Sequence, residues 1–295
     1  MKIAVTGATG QVVTSLVERG TAAGHEVIAI GRPDLDLADP ASVVRALKGA
    51  APDVIVSAAA YTAVDKAESE SDLAFAVNGA GPGAVAQAAK ALGVPLIHLS
   101  TDYVFDGTLD RPYVESDPTG PTGVYGASKL AGERAVLDGH DNSAVLRVAW
   151  VYSPFGGNFV KTMLRLAGDR DELGVVGDQV GNPTSALAIA DGIIKVATNM
   201  VSDSSPSLRG IFHMTTPGEA SWADFAQAIF AASTARGGPS ASVRSIGTAD
   251  YPTPAIRPAN SRLDCGKIAR VHGVTLPDWR TSLDDVMERL QPTKH

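Results

Sequence analysis

Along the first half of the chain, short apolar runs alternate with longer segments in which apolar residues recur at helical spacing. The apolar runs predict strands at Ile3–Val5, Val27–Ile30, Val54–Ser57, Leu96–Leu99 and Ala144–Val148. The intervening segments predict helices near Val12–Arg19, Ala41–Leu47, Gly83–Leu92 and Tyr125–Leu137. Strands that are apolar throughout are typical of a parallel sheet covered on both faces. The pattern therefore predicts a doubly wound, Rossmann-like α/β domain whose ligand lies beyond the carboxyl ends of the strands.

After Val148 the pattern becomes less regular. It predicts helices near Ala186–Met200 and Trp222–Ala232, a strand at Gly210–Met214 and an exposed linker at Ser202–Ser207. We expect residues 1–149 to form the ligand-binding domain and residues 150–295 to form mainly a smaller domain over its ligand edge. The chain is expected to return to the first domain near residues 180–200 and 210–214.

Composition narrows the class of protein. The chain has 295 residues, 44% of them hydrophobic, and a formal net charge of −7, which predicts a soluble globular protein and argues against nucleic-acid binding. The single cysteine excludes a disulfide framework, and the six histidines, which include His295, lack the close pairing of a zinc site. No apolar run approaches the roughly 18 residues of a membrane span. The first apolar run reaches Gly7 too soon to be the apolar region of a signal peptide. These features predict a cytoplasmic enzyme or binding protein without a membrane partner.

Two glycines follow the first strand and open the first helix, in Thr6-Gly7-Ala8-Thr9-Gly10-Gln11-Val12-Val13. Glycine lets the backbone approach a pyrophosphate closely, and a helix N-terminus favours its negative charge. The segment therefore predicts a dinucleotide site, although an ordinary strand-to-helix turn has the same outline. Val13 stands where a third glycine is expected for close packing of helix on strand. Because the phosphate contacts come earlier, we expect a slightly displaced helix and retained binding.

The second strand ends at Gly31-Arg32. A carboxylate at this point would bind a ribose 2′-hydroxyl and repel a 2′-phosphate, whereas a guanidinium suits phosphate. The sequence therefore favours NADPH and leaves NADH open, because Asp34 and Asp36 follow closely and Arg32 could instead be solvated.

The third strand runs into small residues, Ala58-Ala59-Ala60, and then Tyr61. Small side chains at a strand end let a ring or ribose lie against the backbone. Further on, Asn78 is expected either to tie strands together through its amide or to cap a helix.

The most specific chemistry is predicted at Tyr125 and Lys129, which are four residues apart on one face of a helix. A nearby ammonium favours the phenolate and makes the phenol a better proton donor to an oxygen that gains negative charge. A hydroxyl at the end of the fourth strand, from Ser100 or Thr101, could hydrogen-bond the same oxygen. A surface Tyr and Lys on an ordinary helix is the alternative for any such pair taken alone.

With the glycine turn, Ser100-Thr101-Asp102-Tyr103-Val104-Phe105-Asp106-Gly107 and the Tyr125/Lys129 pair in hand, the chain resembles the extended short-chain dehydrogenases/reductases. Within them it is most similar to the dTDP-4-dehydrorhamnose reductases. The likeness runs nearly end to end, and its most specific pieces are Ala58–Glu68, Ser100–Gly107, Val124–Glu133, Arg147–Tyr152, Gly157–Leu164, Asp178–Thr184 and Pro252–Asp264. The resemblance implies reduction of the C4 ketone of a dTDP-sugar by NADPH.

The resemblance also implies roles for residues at matching positions. Tyr125 would protonate the C4 oxygen, Lys129 would hold the nicotinamide ribose and tune Tyr125, and Thr101 would polarise the carbonyl. The implied cofactor contacts are Gly7, Thr9, Gly10, Gln11, Val12, Arg32, Asp36, Leu37, Ala58, Ala59 and Tyr61, together with Tyr125 and Lys129. The implied substrate contacts are Val64, Asp65, Thr101, Asp102, Tyr103, Tyr125, Trp150 and Asn158.

Several alternatives stay open. A ketoreductase for a different dTDP-4-keto-deoxysugar would share the same catalytic residues, and a catalytically silent regulatory subunit can have the same fold. A dehydratase usually has Asp-Glu after its active-site Thr, whereas Thr101 is followed by Asp102-Tyr103. Some members of the family are reported to use Mg²⁺ at a dimer contact, but the sequence shows no compelling carboxylate cluster. The magnesium requirement and the choice between monomer and homodimer are therefore open.

Overall fold

The computed structural model describes residues 1–291, so His295 lies outside the described residues. The strands are β1 Lys2–Thr6, β2 Glu26–Ile30, β3 Val54–Ser57, β4 Leu96–Thr101, β5 Ser143–Val148, β6 Val151–Tyr152, β7 Glu172–Val176, β8 Val180–Gly181, β9 Thr184–Ser185, β10 Gly210–His213, β11 Ala220–Ser221 and β12 Ser242–Ile246. The α-helices are α1 Gln11–Ala22, α2 Pro40–Ala50, α3 Val64–Ala67, α4 Ser71–Phe75, α5 Gly81–Leu92, α6 Val124–Gly139, α7 Phe159–Ala167, α8 Ala186–Ser202, α9 Trp222–Thr234, α10 Gly266–His272 and α11 Trp279–Leu290. A π-helical turn at Ala76–Ala80 joins α4 to α5, and 3₁₀ turns lie at Asp102–Val104, Pro206–Leu208 and Thr248–Asp250.

The centre of the molecule is a six-stranded sheet in the order β10-β5-β4-β3-β1-β2. Every neighbouring pair in it is parallel. The strands predicted in the first half and at Gly210–Met214 are confirmed, with ends that differ by a few residues. The strand order reverses between β1 and β3, and such a switch point opens a crevice at the carboxyl ends of these strands. This Rossmann-like, doubly wound architecture is the predicted fold class.

Helices cover both faces of the sheet, which explains why its strands are apolar throughout. On one face, Ile3 and Val5 pack with Leu16 of α1 and Ile193 of α8. On the other face, Ala4 packs against the group of α2, α5 and α6. Successive residues of β1 therefore enter opposite cores, as the alternation of side chains along a strand requires.

The second half of the chain has a separate apolar core. Tyr152, Phe225, Trp279 and their neighbours come from β6, α7, α9 and α11 and pack beside the small parallel sheet of β7 and β12. In contrast, α8 packs on α1, and β10 pairs with β5 in the central sheet. The expected division at residue 149 stays a prediction, which this distribution of buried residues supports. Within residues 1–291, no helix is long and apolar enough to cross a membrane.

Helix α1 accommodates Val13 inside the first core. The Val13 side chain is 2% exposed and packs in the cluster that contains β1. The close approach of α1 to β2 is made about two turns later, at Gly20, where an added Cβ would lie 2.5 Å from Val27 Cγ2. The glycine that permits helix–strand contact in this chain is therefore Gly20.

Candidate active site

The turn between β1 and α1 requires glycine at its first position. Gly7 has φ +103°, a left-handed conformation that side chains rarely adopt, and its N–H donates to the Ile30 carbonyl at 2.7 Å. A Cβ at this position would lie 3.2 Å from Val13 Cγ2 and 3.4 Å from Ala59 Cβ. The turn therefore lies tightly between the ends of β1, β2 and β3.

The N-terminus of α1 is open at this turn. Gly10 caps the helix without a side-chain hydrogen bond, and Thr9 and Gly10 are exposed. The first N–H groups of a helix lack acceptors within the helix and, with the helix dipole, favour an anion. Alongside, the N–H groups of Ala58 and Ala59 donate to Thr6 Oγ1 at 3.0 and 3.1 Å, which fixes the end of β3 beside β1.

Gln11 connects this turn to the second half of the chain. Its Oε1 accepts hydrogen bonds from Ser153 Oγ at 2.8 Å and from Asn158 Nδ2 at 3.0 Å. Asn158 also caps α7, because its Oδ1 accepts from the Lys161 N–H at 3.2 Å. The Asn158 amide is thus engaged within the protein, and its role as a sugar-nucleotide contact stays a prediction.

Arg32 lies next to the glycine turn. An added Cβ on Gly31 would lie 3.0 Å from the Ala8 nitrogen, so the residue before Arg32 touches the turn itself. The Arg32 side chain is exposed and has no hydrogen-bond or ion-pair partner within residues 1–291. In contrast, the Asp36 carboxylate accepts the Ala38 N–H at 2.9 Å, and Leu37 is buried. A free guanidinium beside the turn fits a phosphate on the adenosine ribose.

Asn78 ties the loop after β3 to helix α6. Its Oδ1 accepts the Tyr61 N–H at 2.8 Å, and its Nδ2 donates to the Tyr61 carbonyl at 3.0 Å and to Ser128 Oγ at 3.1 Å. Asn78 was predicted to tie strands together or to cap a helix, whereas its amide ties a loop to a helix. It holds the predicted cofactor contact Tyr61 at a fixed place relative to Tyr125 and Lys129.

Helix α6 places Tyr125 and Lys129 at the carboxyl end of β4. The Lys129 side chain is 3% exposed, and its Nζ donates to the Leu99 carbonyl at 2.7 Å. The helix approaches the segment after β4 so closely that a Cβ on Gly126 would collide with the Tyr103 carbonyl oxygen. Gly126 is therefore the residue that allows the tyrosine of α6 to reach the strand end.

The charges of this pair differ from the sequence-based expectation. Burial lowers the pKa of Lys129 to about 8, while the Glu133 carboxylate opposes this change. Burial and the nearby Asp102 raise the pKa of Tyr125 to about 12, and the Thr101 hydroxyl opposes them. Lys129 was expected to favour the phenolate, but its ammonium is turned to the Leu99 carbonyl. The phenol is consequently held in its protonated form.

A buried ion pair lies one helical turn beyond Lys129 on α6. Arg147 Nε and Nη2 donate to the two Glu133 oxygens at 2.9 and 2.7 Å. The Arg147 guanidinium also lies 4.9 Å from the centre of the Phe105 ring, and its Nη1 is buried without a hydrogen-bond partner among the described residues. Glu133 follows Lys129 by one helical turn, so the pair places a fixed carboxylate beside the ammonium.

Thr101, Asp102 and Tyr103 form the opposite wall. Thr101 Oγ1 donates to Asp102 Oδ1 at 2.9 Å and accepts the Tyr103 N–H at 3.2 Å. The Tyr103 ring meets the Tyr125 ring edge to face, with centroids 5.6 Å apart. Burial raises the pKa of Asp102 to about 6, and the hydroxyls of Ser261 and Thr101 oppose the rise. The structure thus brings together the predicted hydroxyl, phenol and ammonium at one strand end.

Asp65 is paired with a residue from the far end of the chain. Arg257 donates to both Asp65 oxygens at 2.7 Å, and the Ala255 N–H adds a third hydrogen bond at 3.2 Å. The Arg257 pair keeps the pKa of Asp65 below its usual value. Burial raises the pKa of Tyr103, and the nearby Arg257 guanidinium opposes this rise. The ion pair therefore fastens the loop around Ala255 to the wall of the site.

Trp150 adopts an unusual backbone conformation at the end of β5. Its φ is +47°, which is strained for a bulky residue and is found most often at functional sites. Its ring stacks on Trp222 of α9, with centroids 3.5 Å apart and planes within 7°. Gly181 leaves room for this ring, because an added Cβ would lie 2.5 Å from Trp150 Cε2. The stack forms a flat aromatic wall between the two halves of the chain.

Sequence reasoning missed several residues of this region. They are Glu133, Arg147, Trp222, Arg257 and Ser261. Trp222 was assigned only to a helix, and the other four lie inside segments that carry the family resemblance but were given no role. Among residues 1–291, no group of three or more His, Cys, Asp or Glu side chains is arranged to hold a metal ion.

Comparisons with known proteins identify the family of this chain. A family model described as the RmlD substrate binding domain matches residues 1–292. A curated dTDP-4-dehydrorhamnose reductase from Sinorhizobium fredii (strain NBRC 101917 / NGR234) is 54% identical over 282 residues, which cover 96% of this chain and 95% of that protein.

Two crystal structures of dTDP-4-dehydrorhamnose reductases have the same fold over nearly their whole length. The protein from Clostridium acetobutylicum ATCC 824 superposes with a TM-score of 0.92 at 37% identity, covering 99% of this chain and 100% of that one. The protein from Bacillus anthracis str. Ames, solved in complex with NADP, gives 0.89 at 33% identity, covering 97% and 98%. The chain therefore belongs to the RmlD family, that of the dTDP-4-dehydrorhamnose reductases.

Proposed function

We propose that this protein reduces the C4 ketone of dTDP-4-dehydro-L-rhamnose with NADPH and releases dTDP-L-rhamnose. The observation that carries the proposal is the meeting of Tyr125, Lys129 and Thr101 at the carboxyl end of β4, beside the switch point of the sheet. The names of the relatives supply the substrate class, and the NADP complex of the Bacillus anthracis protein supports the cofactor.

The residues around the glycine turn fit a dinucleotide. Gly7 takes the left-handed conformation that the turn requires, the α1 N-terminus is uncapped by side chains, and Arg32 is free beside it. NADPH, when bound, supplies the hydride. The residues proposed to hold it are Gly7, Thr9, Gly10, Gln11, Val12, Arg32, Asp36, Leu37, Ala58, Ala59, Tyr61, Tyr125 and Lys129.

The proposed acid is Tyr125. Because its pKa is raised to about 12, the phenol is protonated at neutral pH and can give its proton to the C4 oxygen as negative charge develops there. Lys129, whose Nζ donates to the Leu99 carbonyl, is proposed to hold the nicotinamide ribose, and because burial lowers its pKa to about 8 its charge is sensitive to pH near that value. Thr101 contacts the same C4 oxygen. Positioned acid catalysis of this kind is typically worth about 10²–10⁴-fold in rate.

The proposed substrate contacts lie on both sides of the cleft. Val64, Asp65, Asp102 and Tyr103 come from the first half of the chain, and Trp150 and Asn158 from the region of the second core. The flat Trp150–Trp222 stack suits a nucleotide base, because aromatic faces attract other rings. We also propose a preference for NADPH over NADH, a monomeric or homodimeric state and a cytoplasmic location. The assay with EDTA described below tests for a role of Mg²⁺.

The deciding experiment is a coupled assay. dTDP-glucose is converted by the upstream enzymes to the ketosugar, and NADPH oxidation is followed with and without EDTA. The parent protein should turn over, and Tyr125→Phe should lower kcat by about 10²–10⁴-fold while NADPH still binds. A parent protein that binds NADPH but reduces none of several dTDP-4-keto sugars would favour the regulatory-subunit alternative and end the enzyme proposal. Faster turnover of another dTDP-4-keto-deoxysugar would instead reassign the substrate.

A further inference from the structure

The hydroxyl of Thr101 has a single proton, and in this structure that proton is already used. Thr101 Oγ1 donates to Asp102 Oδ1 at 2.9 Å, and one of its lone pairs accepts the Tyr103 N–H at 3.2 Å. What remains is a lone pair, which faces the Tyr125 phenol beside the cleft. An oxygen that gains negative charge is stabilised by donors and repelled by a lone pair. While Asp102 is ionised, Thr101 is therefore unable to polarise a ketone.

The surroundings of Asp102 allow its carboxyl to gain a proton. The residue is 3% exposed, and its Oδ2 is buried without a hydrogen-bond partner in the described part of the chain. The groups that face it are the hydroxyls of Thr101 and Ser261, the backbone N–H groups of Asp102 and Tyr103, and the phenols of Tyr103 and Tyr125. Burial raises its pKa to about 6, so both ionisation states occur near neutral pH.

We propose that Asp102 is a positioning residue for Thr101: the protonated carboxyl frees the Thr101 hydroxyl to donate to the reacting oxygen, and the ionised carboxylate withholds it. In the protonated state the Asp102 O–H donates to Thr101 Oγ1, and the Thr101 O–H turns to the cleft. Asp102 keeps its proton through the reaction, because Tyr125 supplies the one that is transferred. This inference rests on the proposed ketone reduction, whose oxygen Thr101 would contact.

The test compares kcat of the parent with kcat of Thr101→Val across pH 5.5 to 8. A hydrogen-bond donor to a developing oxyanion is worth about 10²-fold or more, so the ratio should be about 10² at the acid end. Above about pH 6 it should fall roughly tenfold per pH unit, as Asp102 ionises. In an Asp102→Asn background, where the amide cannot titrate, the same ratio should be independent of pH. Taking the ratio within each background cancels losses in substrate affinity or stability.

Two further variants guard this comparison. Thr101→Ser keeps the hydroxyl, so its kcat should vary with pH as that of the parent does. If the effect of Thr101→Val came from packing of the methyl group, Thr101→Ser would not show the parental pH dependence. Asp106→Asn makes the same chemical change on an exposed carboxylate that bonds Thr108 and Tyr113, and it should leave the pH dependence of the ratio intact. A ratio that is flat with pH in the parent, or that still slopes in Asp102→Asn, would overturn the inference.

A second readout does not depend on turnover. The infrared difference between the parent and Asp102→Asn isolates the Asp102 carboxyl, and its titration is followed with pH in the absence of substrate. Thr101→Val removes a donor to the carboxylate and should move this titration upward by about one pH unit, as should Ser261→Ala. No movement in Thr101→Val would refute the coupling of Asp102 to Thr101 even in an active enzyme. A clear movement in a protein that reduces no ketosugar would refute only the proposed function.

Discussion

Glu133 of α6 and Arg147 of β5 form a two-pronged ion pair, with N–O distances of 2.9 and 2.7 Å, at a place where each side chain is only 2% exposed. The pair lies one helical turn beyond Lys129, whose pKa falls to about 8 through burial although Glu133 opposes the fall. Buried pairs are costly to break, because the remaining charge has no solvent around it. The charge on the Lys129 ammonium thus depends on a pair that lies outside the predicted substrate and cofactor contacts.

Glu133→Gln should therefore make Lys129 lose its proton at lower pH. The unpaired Arg147 charge remains and disfavours a second cation nearby, so the pKa of Lys129 should move below about 8. The alkaline decline of kcat, and that of NADPH affinity, should both begin at lower pH than in the parent. Measuring each from pH 6 to 9 tests this.

The matched variant is Glu133→Gln with Arg147→Met, which removes both charges. The single change should cost about 3–5 kcal/mol of stability, and the double change should recover much of it. The alkaline decline in the double variant should lie between that of the parent and that of the single variant. If all three proteins decline at the same pH, the ion pair does not tune Lys129.

The central sheet could be predicted because its signal is local. Ile3, Val5, Val54 and Val56 are fully buried, and helices on both faces require such strands to be apolar at every position. The Tyr125–Lys129 pair was equally readable, since a spacing of four residues on a helix needs no knowledge of distant segments. Patterns of this kind depend only on residues close together in the sequence and can therefore be recognised without the structure.

The walls of the cleft could not be predicted because their contacts join distant segments. Asp65 and Arg257 are 192 residues apart in the sequence. The residues flanking either one do not indicate that the two side chains pair. The same holds for Trp150 and Trp222, whose stacking depends on how the second core packs against the first. The direction of the Lys129 ammonium could not be predicted either, because it depends on burial and on the hydrogen bond to the Leu99 carbonyl.

Arg32 should determine the choice of cofactor. Its exposed side chain has no partner among residues 1–291 and lies beside the glycine turn, where a 2′-phosphate is expected. A hydrogen bond to a charged group is worth about 1.5–3 kcal/mol, so Arg32→Asp should raise the Kd of NADPH by roughly 10- to 100-fold. NADH should bind nearly as before. The same change at Arg170, which is exposed beyond α7, should alter neither Kd. Equal kcat/KM for both cofactors in the parent would rule out this role.

Val13 should prove important for stability. Its side chain is 2% exposed in the core around β1, so Val13→Gly removes a buried side chain worth about 1.5–3 kcal/mol and adds about 1 kcal/mol of helix cost. Urea unfolding should show a loss of about 3 kcal/mol, and Val13→Ala a smaller one. The Kd of NADPH for the folded protein should stay near the parental value, because the phosphate contacts precede Val13. Unchanged stability would mean that α1 relaxes onto the strand when the valine is absent.

Replacement of Arg257 should weaken binding of the sugar nucleotide and leave binding of the cofactor unchanged. It holds the loop around Ala255 through both oxygens of Asp65, on the side of the cleft where Tyr103 lies. Arg257→Met should raise KM for the substrate by about tenfold and leave the Kd of NADPH unchanged. Arg257→Lys should recover only part of the substrate affinity lost in Arg257→Met, because an ammonium cannot bond both carboxylate oxygens in the planar geometry of a guanidinium.

The control for this prediction is Arg244→Met, which breaks an exposed ion pair with Glu172 on the β7–β12 sheet. It should leave both constants unchanged. An equal loss of substrate and cofactor affinity in Arg257→Met would show that the ion pair supports the fold as a whole, and the proposed division of the site would then be wrong.

His213 should make the folded state sensitive to acid. Burial and the Arg147 guanidinium lower its pKa to about 3, although the Tyr113 carbonyl and Asp117 oppose the change. In the unfolded chain a histidine takes up its proton near pH 6.5, so below that value the unfolded state binds one more proton than the folded state. The stability due to neutral His213 is therefore complete above about pH 6.5 and is lost as the pH falls toward 3. This group should contribute a slope of up to about 1.4 kcal/mol per pH unit. His213→Gln should remove that slope from urea unfolding free energies measured between pH 6.5 and 4.5, and identical slopes in both proteins would show that His213 is not the group responsible.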